Sequence, residues 1–239
     1  MVESGRNRKE ILAVEKKVDN PIRVLAWSEF SEPRYAYPNG IHGALAEYLS
    51  VYEDIVAKTA TLGDSEQGVG EDALNRADVL IWFGHVRHGE VIGESVDRIV
   101  RHVKERGMGF LGLHSTHFAL PYKALMGTSC AWRAYVEDGR AGHIKVVNLS
   151  HPIAEGVTDF TIPHEEWYGE PYDVPEPEAV ILEGTYADGK EIARDALVWT
   201  VGKGRVFYLR IGHETFPIYY MAEVRRIILN GVRWLARRA

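Results

Sequence analysis

Three short and almost uninterrupted apolar runs constrain this chain more than any other feature: IRVLAW at 22–27, VLIWF at 79–83 and GFLGL at 109–113. A strand with one face in water alternates apolar and polar residues, so runs like these belong to strands covered on both faces. The second and third each follow a helical stretch. Between them, VIGESVDRIVRHVKERG sets Val91, Ile92, Val96, Ile99, Val100 and Val103 at helical spacing and closes on Gly107, with basic residues in its last turn. Asn39 stands before IHGALAEYLSVY as a candidate N-cap. Strands that alternate with helices predict an α/β fold, with a parallel sheet and right-handed crossovers.

The second half is less regular. HIKVV (143–147), AVILEGTY (179–186) and the pair DALVWTV and GRVFYLRI around Gly202-Lys203-Gly204 read as strands, the last two as a hairpin. A final helix over about 217–237 carries Tyr220, Val224, Ile227, Ile228, Val232 and Leu235 on one face, and PYDVPEPEA (171–179) reads as a stiff loop. Residues 1–20 end at the breaker pair Asn20-Pro21 and read as an N-terminal arm; residues 21–239 then form a single domain.

Composition excludes several classes. With a net charge of −6 there is no basic field for a phosphate backbone, so a nucleic-acid partner is not expected. The lone Cys130 rules out an intrachain disulfide framework and fits a reducing cytosol, hence a cytoplasmic protein. No stretch approaches the roughly 20 apolar residues that span a bilayer, so no membrane role is expected. The Walker pattern and the third glycine of a dinucleotide fingerprint are both missing.

In an open parallel sheet, ligands bind beyond the carboxyl ends of the strands. Ser28 and Glu29 follow the first run, with His42 entering the next helix; His85 and His88 follow the second; His114, Ser115 and His117 follow the third; His213 and Glu214 follow VFYLRI. At least four of the ten histidines thus fall just past strand ends. One such histidine is more often a turn or cap residue, but four segments delivering imidazole to one edge point to a site, either metal or acid-base. The turn after GFLGL lacks the G-x-S-x-G of a serine elbow; counting from Gly112, it is His114 that stands at the tip, with Ser115 as a helix N-cap.

The segment PHEEWYGEPYDVP (163–175) mixes carboxylates with Trp167, Tyr168 and Tyr172, a combination suited to sugars; a solvated acidic loop with one aromatic anchor accounts for it equally well. A carboxylate beside an indole would be pushed toward general acid or base use.

YPNGIH (37–42), VLIWFGHVRH (79–88), GMGFLGLHSTH (107–117), LMGTSC (125–130), HPIAEGV (151–157), EEWYGEPYDVPEPE (165–178) and GRVFYLRIGHETFPIYY (204–220) together resemble the ThuA-like family, the trehalose utilisation proteins, over about residues 21–237. The resemblance implies a flavodoxin-like three-layer α/β sandwich of the class I glutamine amidotransferase-like type, with a mainly parallel sheet and without the Cys-His-Glu triad. It also implies a role with trehalose or related disaccharides, through 3-keto derivatives made by a partner dehydrogenase. The histidines matching family positions are His42, His114 and His213, with the acidic-Glu-Trp-Tyr run at Glu165–Tyr168; His85 and His88 match only the closer branch. Closer members carry Glu-Met-Tyr at Glu166-Trp167-Tyr168 and Ser-Gly-His at Ser115-Thr116-His117.

The expectation is therefore an enzyme acting on a trehalose-type disaccharide or its 3-keto derivative by elimination, hydrolysis or isomerisation. Glu166, as the base, together with His114 and His213 are its expected catalytic groups. His42, His114, His213 and His85 are the expected ligands of a divalent metal, zinc by donor type, and Trp167, Tyr168, His88 and Ser115 are the expected substrate contacts. A metal-free version with His114 and His213 as acid and base stays open. So does a non-catalytic carbohydrate-binding or regulatory protein on the same scaffold. The arm and the apolar final helix make a homo-oligomer a reasonable expectation.

Overall fold

A computed structural model describes residues 19–186 and 189–238. All but the last two residues of the expected arm lie outside that range. The parallel strands are β1 (Ile22–Ser28), β2 (Ile55–Thr61), β3 (Val79–Phe83), β4 (Gly109–Leu113) and β11 (Gly204–Leu209). They stand side by side in the order β2-β1-β3-β4-β11. Every residue of β3 and β4 is buried, as their unbroken apolar runs require.

Four antiparallel strands extend the sheet beyond β11: β10 (Glu191–Val201), β9 (Ala179–Tyr186), β6 (Gly142–Val146) and β7 (Phe160–Ile162). The sheet is therefore mixed, parallel in the half that carries the strand-helix alternation and antiparallel in the irregular half. β5 (Trp132–Val136) and β8 (Trp167–Tyr172) pair separately as a two-stranded ribbon.

The helices are α1 (Gly40–Leu49), α2 (Glu71–Arg76), α3 (Gly93–Arg101), α4 (Leu120–Met126) and α5 (Ala222–Leu235). The segment after α3 widens into a π turn and stops at Gly107 with φ +86°, the left-handed cap read from the sequence. Asn39 does precede α1, but its side chain makes no capping bond; Glu32 Oε1 instead accepts the Ile41 N–H at 3.1 Å. The last helix is shorter than expected, because a 3-10 turn at Ile218–Tyr220 precedes it and leaves Tyr220 exposed. Edge strand β2 buries little besides Ile55 and Ala60, which is why IVAKTAT lacks the apolar run of its neighbours. Among the described residues, no helix is long and apolar enough to cross a membrane.

Candidate functional site

β3, β4 and β11 are neighbours in the sheet, and the residues just past their carboxyl ends are His85, His114 and His213. Glu166, entering β8, closes over them. One donor atom from each of the four lies within 4.8 Å of the others. His213 meets both other imidazoles at centroid distances of 5.3 Å.

His114 occupies the tip of the turn with φ +47°, a left-handed conformation that costs a non-glycine residue about 1–3 kcal/mol. Gly112 permits the turn, since a Cβ there would approach Thr116 Cγ2 to 2.8 Å. His114 Nδ1 lies 2.9 Å from the Arg210 carbonyl oxygen. A carbonyl only accepts, so Nδ1 carries a hydrogen, and Nε2 faces inward, donating to Glu166 as the imidazolium or offering a lone pair as the neutral ring. That nitrogen is 3.1 Å from Glu166 Oε2 and 2.8 Å from the Tyr168 hydroxyl. His213 Nδ1 lies 2.7 Å from Thr215 Oγ1 and also receives the Thr215 backbone N–H at 3.1 Å. The amide favours a proton on Nε2, directed at Glu166 3.6 Å away; the hydroxyl can instead accept from Nδ1 and free Nε2 as a ligand.

Burial disfavours charge throughout this recess. It lowers His85 to a pKa of about 4 and His213 to about 3, with the His114 charge adding to both, so each is neutral at pH 7. Burial also acts against the Glu166 carboxylate, but the His114 hydrogen bond and charge outweigh it and bring Glu166 down to about 2. Glu214 has no such donor, and burial pushes it up to about 7. Its Oε2 lies 3.2 Å from His85 Nε2 and 3.3 Å from His213 Nδ1, yet without hydrogen-bonding geometry, so it is a buried oxygen lacking a partner. His85 Nδ1 and His88 Nε2 are likewise unpartnered.

A fully buried ionic network underpins Glu166. Arg210 pairs through Nε with Asp195 and through its terminal nitrogen with Glu165 Oε2 at 3.0 Å, and donates to the Glu166 carbonyl oxygen at 3.1 Å. The Tyr186 hydroxyl donates to Asp195 Oδ2 at 2.8 Å, and Glu165 Oε1 accepts the Gly212 N–H at 3.3 Å. The same arginine thus fixes the backbone at Glu166 and, through its own carbonyl, the tautomer of His114.

Several expected site residues fall elsewhere. His42 is outside the cluster: its Nδ1 lies 2.7 Å from Ser28 Oγ and its ring packs edge-on against Phe30, because β1 stands on the far side of β3 from β4 and β11. Glu166 takes its place in the donor set. Ser115 is no N-cap and is almost wholly buried; its hydroxyl donates to the Gly84 carbonyl at 2.5 Å, tying the turn to the end of β3. Trp167 is buried and stacks on Tyr186 at 5.7 Å. Side chains alternate along an extended segment, so Glu166 and Tyr168 face the histidines while Glu165 and Trp167 face the ionic network. His88 borders the cluster: a Cβ on Gly84 would lie 3.2 Å from its Nδ1 and 3.3 Å from Glu29 Oε2. Glu214 had no assigned role from sequence, although its place directly after His213 could have suggested one.

Cavities of about 550 Å³ beside β1, β2 and α2 and of about 480 Å³ lined by Arg23, Asp78, Arg106 and Lys203 lie away from this edge. Neither includes a residue of the cluster.

The family model described as trehalose utilisation, ThuA, matches residues 23–235. A search of curated proteins finds no match. Among solved structures, a protein described as ThuA-like from Bacteroides uniformis is similar at 20% identity, covering 91% of this chain and 93% of that one with a TM-score of 0.64. A glutamine amidotransferase from Thermotoga maritima matches at 10% identity over 91% and 99%, TM-score 0.54. A carbohydrate deacetylase matches at 13% identity over 91% of this chain but 32% of its own, TM-score 0.62. These likenesses establish the amidotransferase-like fold.

Proposed function

Given that this chain belongs to the ThuA family, whose description is trehalose utilisation, we propose that it is an enzyme acting on a trehalose-type disaccharide in its 3-keto form. The observation that carries this reading is the convergence of His85, His114, Glu166 and His213 donor atoms within 4.8 Å. Three imidazoles and one carboxylate suit zinc. The neutral state of His85 and His213 and the unpartnered His85 Nδ1 favour the same assignment. A bound ion would supply Lewis-acid polarisation of the ketone oxygen. The carbohydrate deacetylase with a similar fold is consistent with sugar chemistry on this scaffold.

As a ligand, Glu166 is not free to act as the base expected from sequence. Glu214, whose buried Oε2 lacks a hydrogen-bond partner and lies 3.2 Å from His85 Nε2 and 3.3 Å from His213 Nδ1, takes that role. It removes the proton on the carbon between the ketone and the anomeric centre. The C–H electron pair becomes a C=C bond, the anomeric C–O bond breaks, and the leaving oxygen takes up a proton. The Tyr168 hydroxyl, 2.8 Å from His114 Nε2 and donating to Glu166 Oε2 at 3.2 Å, would turn its proton to that oxygen.

Incubation with 3-keto-trehalose, following released glucose, tests the reaction, and metal analysis of untagged protein tests the donor set. The expected result is turnover that falls at least a hundredfold in Glu214→Gln, a size typical of losing a general base, where about 10²–10⁴ is usual. Less than about a tenth of an equivalent of metal, not raised by added zinc, would remove the metal role. Trehalose binding without any turnover would leave a carbohydrate-binding protein.

A further inference from the structure

A disaccharide carries a second ring that takes no part in the chemistry, and the aromatic residue expected to hold a sugar, Trp167, is buried away from the cluster. Other rings occupy the neighbouring surface. Phe118, just past the His114 turn, and Tyr135 on β5 stack at a centroid distance of 5.4 Å and an interplanar angle of 27°. Each keeps 40% of its surface exposed, so the pair forms a joined apolar patch. His117 backs both, at 4.1 Å from Phe118 and 5.5 Å from Tyr135.

The pair adjoins the cluster. Tyr135 meets Tyr168 edge-on at 5.1 Å, and Tyr168 stacks on His114 at 4.9 Å, so two ring widths separate the exposed aromatics from the reacting position. Polar groups flank the pair. The Lys123 ammonium lies over the Phe118 ring, 5.7 Å from its centre, where a sugar could displace it toward its own hydroxyls, and His88, whose Nε2 lacks a partner, packs against the same ring at 5.7 Å. A pyranose with equatorial hydroxyls presents axial C–H groups to a ring face and hydroxyls at its rim, which fits an apolar floor with polar groups beside it.

We propose that Phe118 and Tyr135 form a stacking platform for the second, non-reacting pyranose of the disaccharide, with His88 and Lys123 meeting its hydroxyls. This rests on the sugar reading above but not on its chemistry. The platform makes the protein select disaccharides over monosaccharides.

The test measures binding of unmodified trehalose and of glucose to the full chain by calorimetry or ligand-observed NMR, beside zinc uptake. Wild type is expected to bind trehalose more tightly than glucose. Phe118→Ala and Tyr135→Ala should each weaken trehalose binding roughly 2- to 12-fold, the range for one aromatic contact, while glucose binding and zinc uptake stay unchanged. Phe118→Leu, which keeps apolar bulk without a π face, should lose as much as Phe118→Ala, whereas Tyr135→Phe should bind as wild type does; together they separate stacking from misfolding. Trehalose binding unaltered in both alanine variants, equal losses for glucose, or no trehalose binding by wild type would each overturn the platform. A change in oligomeric mass with trehalose binding intact would also overturn it, by making the patch a contact between copies of the chain. If 3-keto-trehalose is not turned over while the trehalose pattern holds, the platform stands and the proposed reaction falls.

Discussion

Replacing Arg210 by Met should destabilise this protein far more than replacing Asp195 by Asn, although the two side chains belong to the same buried network. Arg210, Asp195 and Glu165 are all fully buried. Burial alone would discharge Arg210, but Asp195 and Glu165 outweigh it and hold the guanidinium charged, while burial pushes the Glu165 carboxyl upward. Removing the cation leaves two carboxyls in a dry interior with one tyrosine hydroxyl between them. Breaking a buried pair in this way costs about 3–5 kcal/mol, a large part of the roughly 5–15 kcal/mol that holds a typical domain together. Asp195→Asn keeps the Arg210–Glu165 pair at 3.0 Å and removes one charge, so about 1–3 kcal/mol is expected. With a urea slope of about 3 kcal/mol per M, Arg210→Met should lower the unfolding midpoint by about 1 M or more. The deficit should also depend on pH. Without the cation, the Glu165 carboxyl, already raised by burial, rises further above its unfolded value, so the variant gains stability below the unfolded pKa and loses it as pH rises through the folded one. Urea titrations of both variants at pH 5 and pH 8 are the assay. Equal costs for the two substitutions, or an Arg210→Met deficit that does not widen with pH, would refute the electrostatic account.

Zinc at about 100 times its dissociation constant should stabilise the fold by about 2.7 kcal/mol, and His85→Ala should abolish the resulting rise in melting temperature in a calorimetric scan. In EDTA, the lowered pKa values of His85, His117 and His213, near 4, 3 and 3, mean that stability is fully present above the unfolded value near 6.5 and is lost as pH falls below it. The slope between pH 6.5 and 4.5 should be up to about 1.4 kcal/mol per pH unit for each histidine, and His117→Gln should remove one such share in chemical denaturation. Trp167→Ala should cost about 3–5 kcal/mol as a core truncation yet leave the trehalose affinity of the remaining folded protein unchanged; a selective loss of affinity would return Trp167 to the sugar site.

How far the sequence reached depended on how local each determinant was. The apolar runs of β1, β3 and β4 and the helical spacing before Gly107 read directly, because burial on both faces and a 3.6-residue period are written in consecutive residues. The same local count from Gly112 placed His114 at the tip of its turn, where its φ of +47° is observed. Strand β2 and the short strands β5 and β7 carried no such signal, since edge and ribbon strands bury too few residues to show a pattern.

The membership of the donor cluster was decided by tertiary structure. Sheet order sets β1 on one side of β3, and β4 and β11 on the other, and this leaves His42 with Ser28 while His85, His114 and His213 converge. Strand order is a long-range choice that no local spacing encodes. That Tyr168 faces the site while Trp167 does not follows from the phase of one extended segment, fixed by an arginine more than 40 residues away that claims Glu165 and the Glu166 carbonyl. A chain can state which residue types meet at a strand end, but which of two adjacent side chains faces the site depends on what the opposite face must pair with.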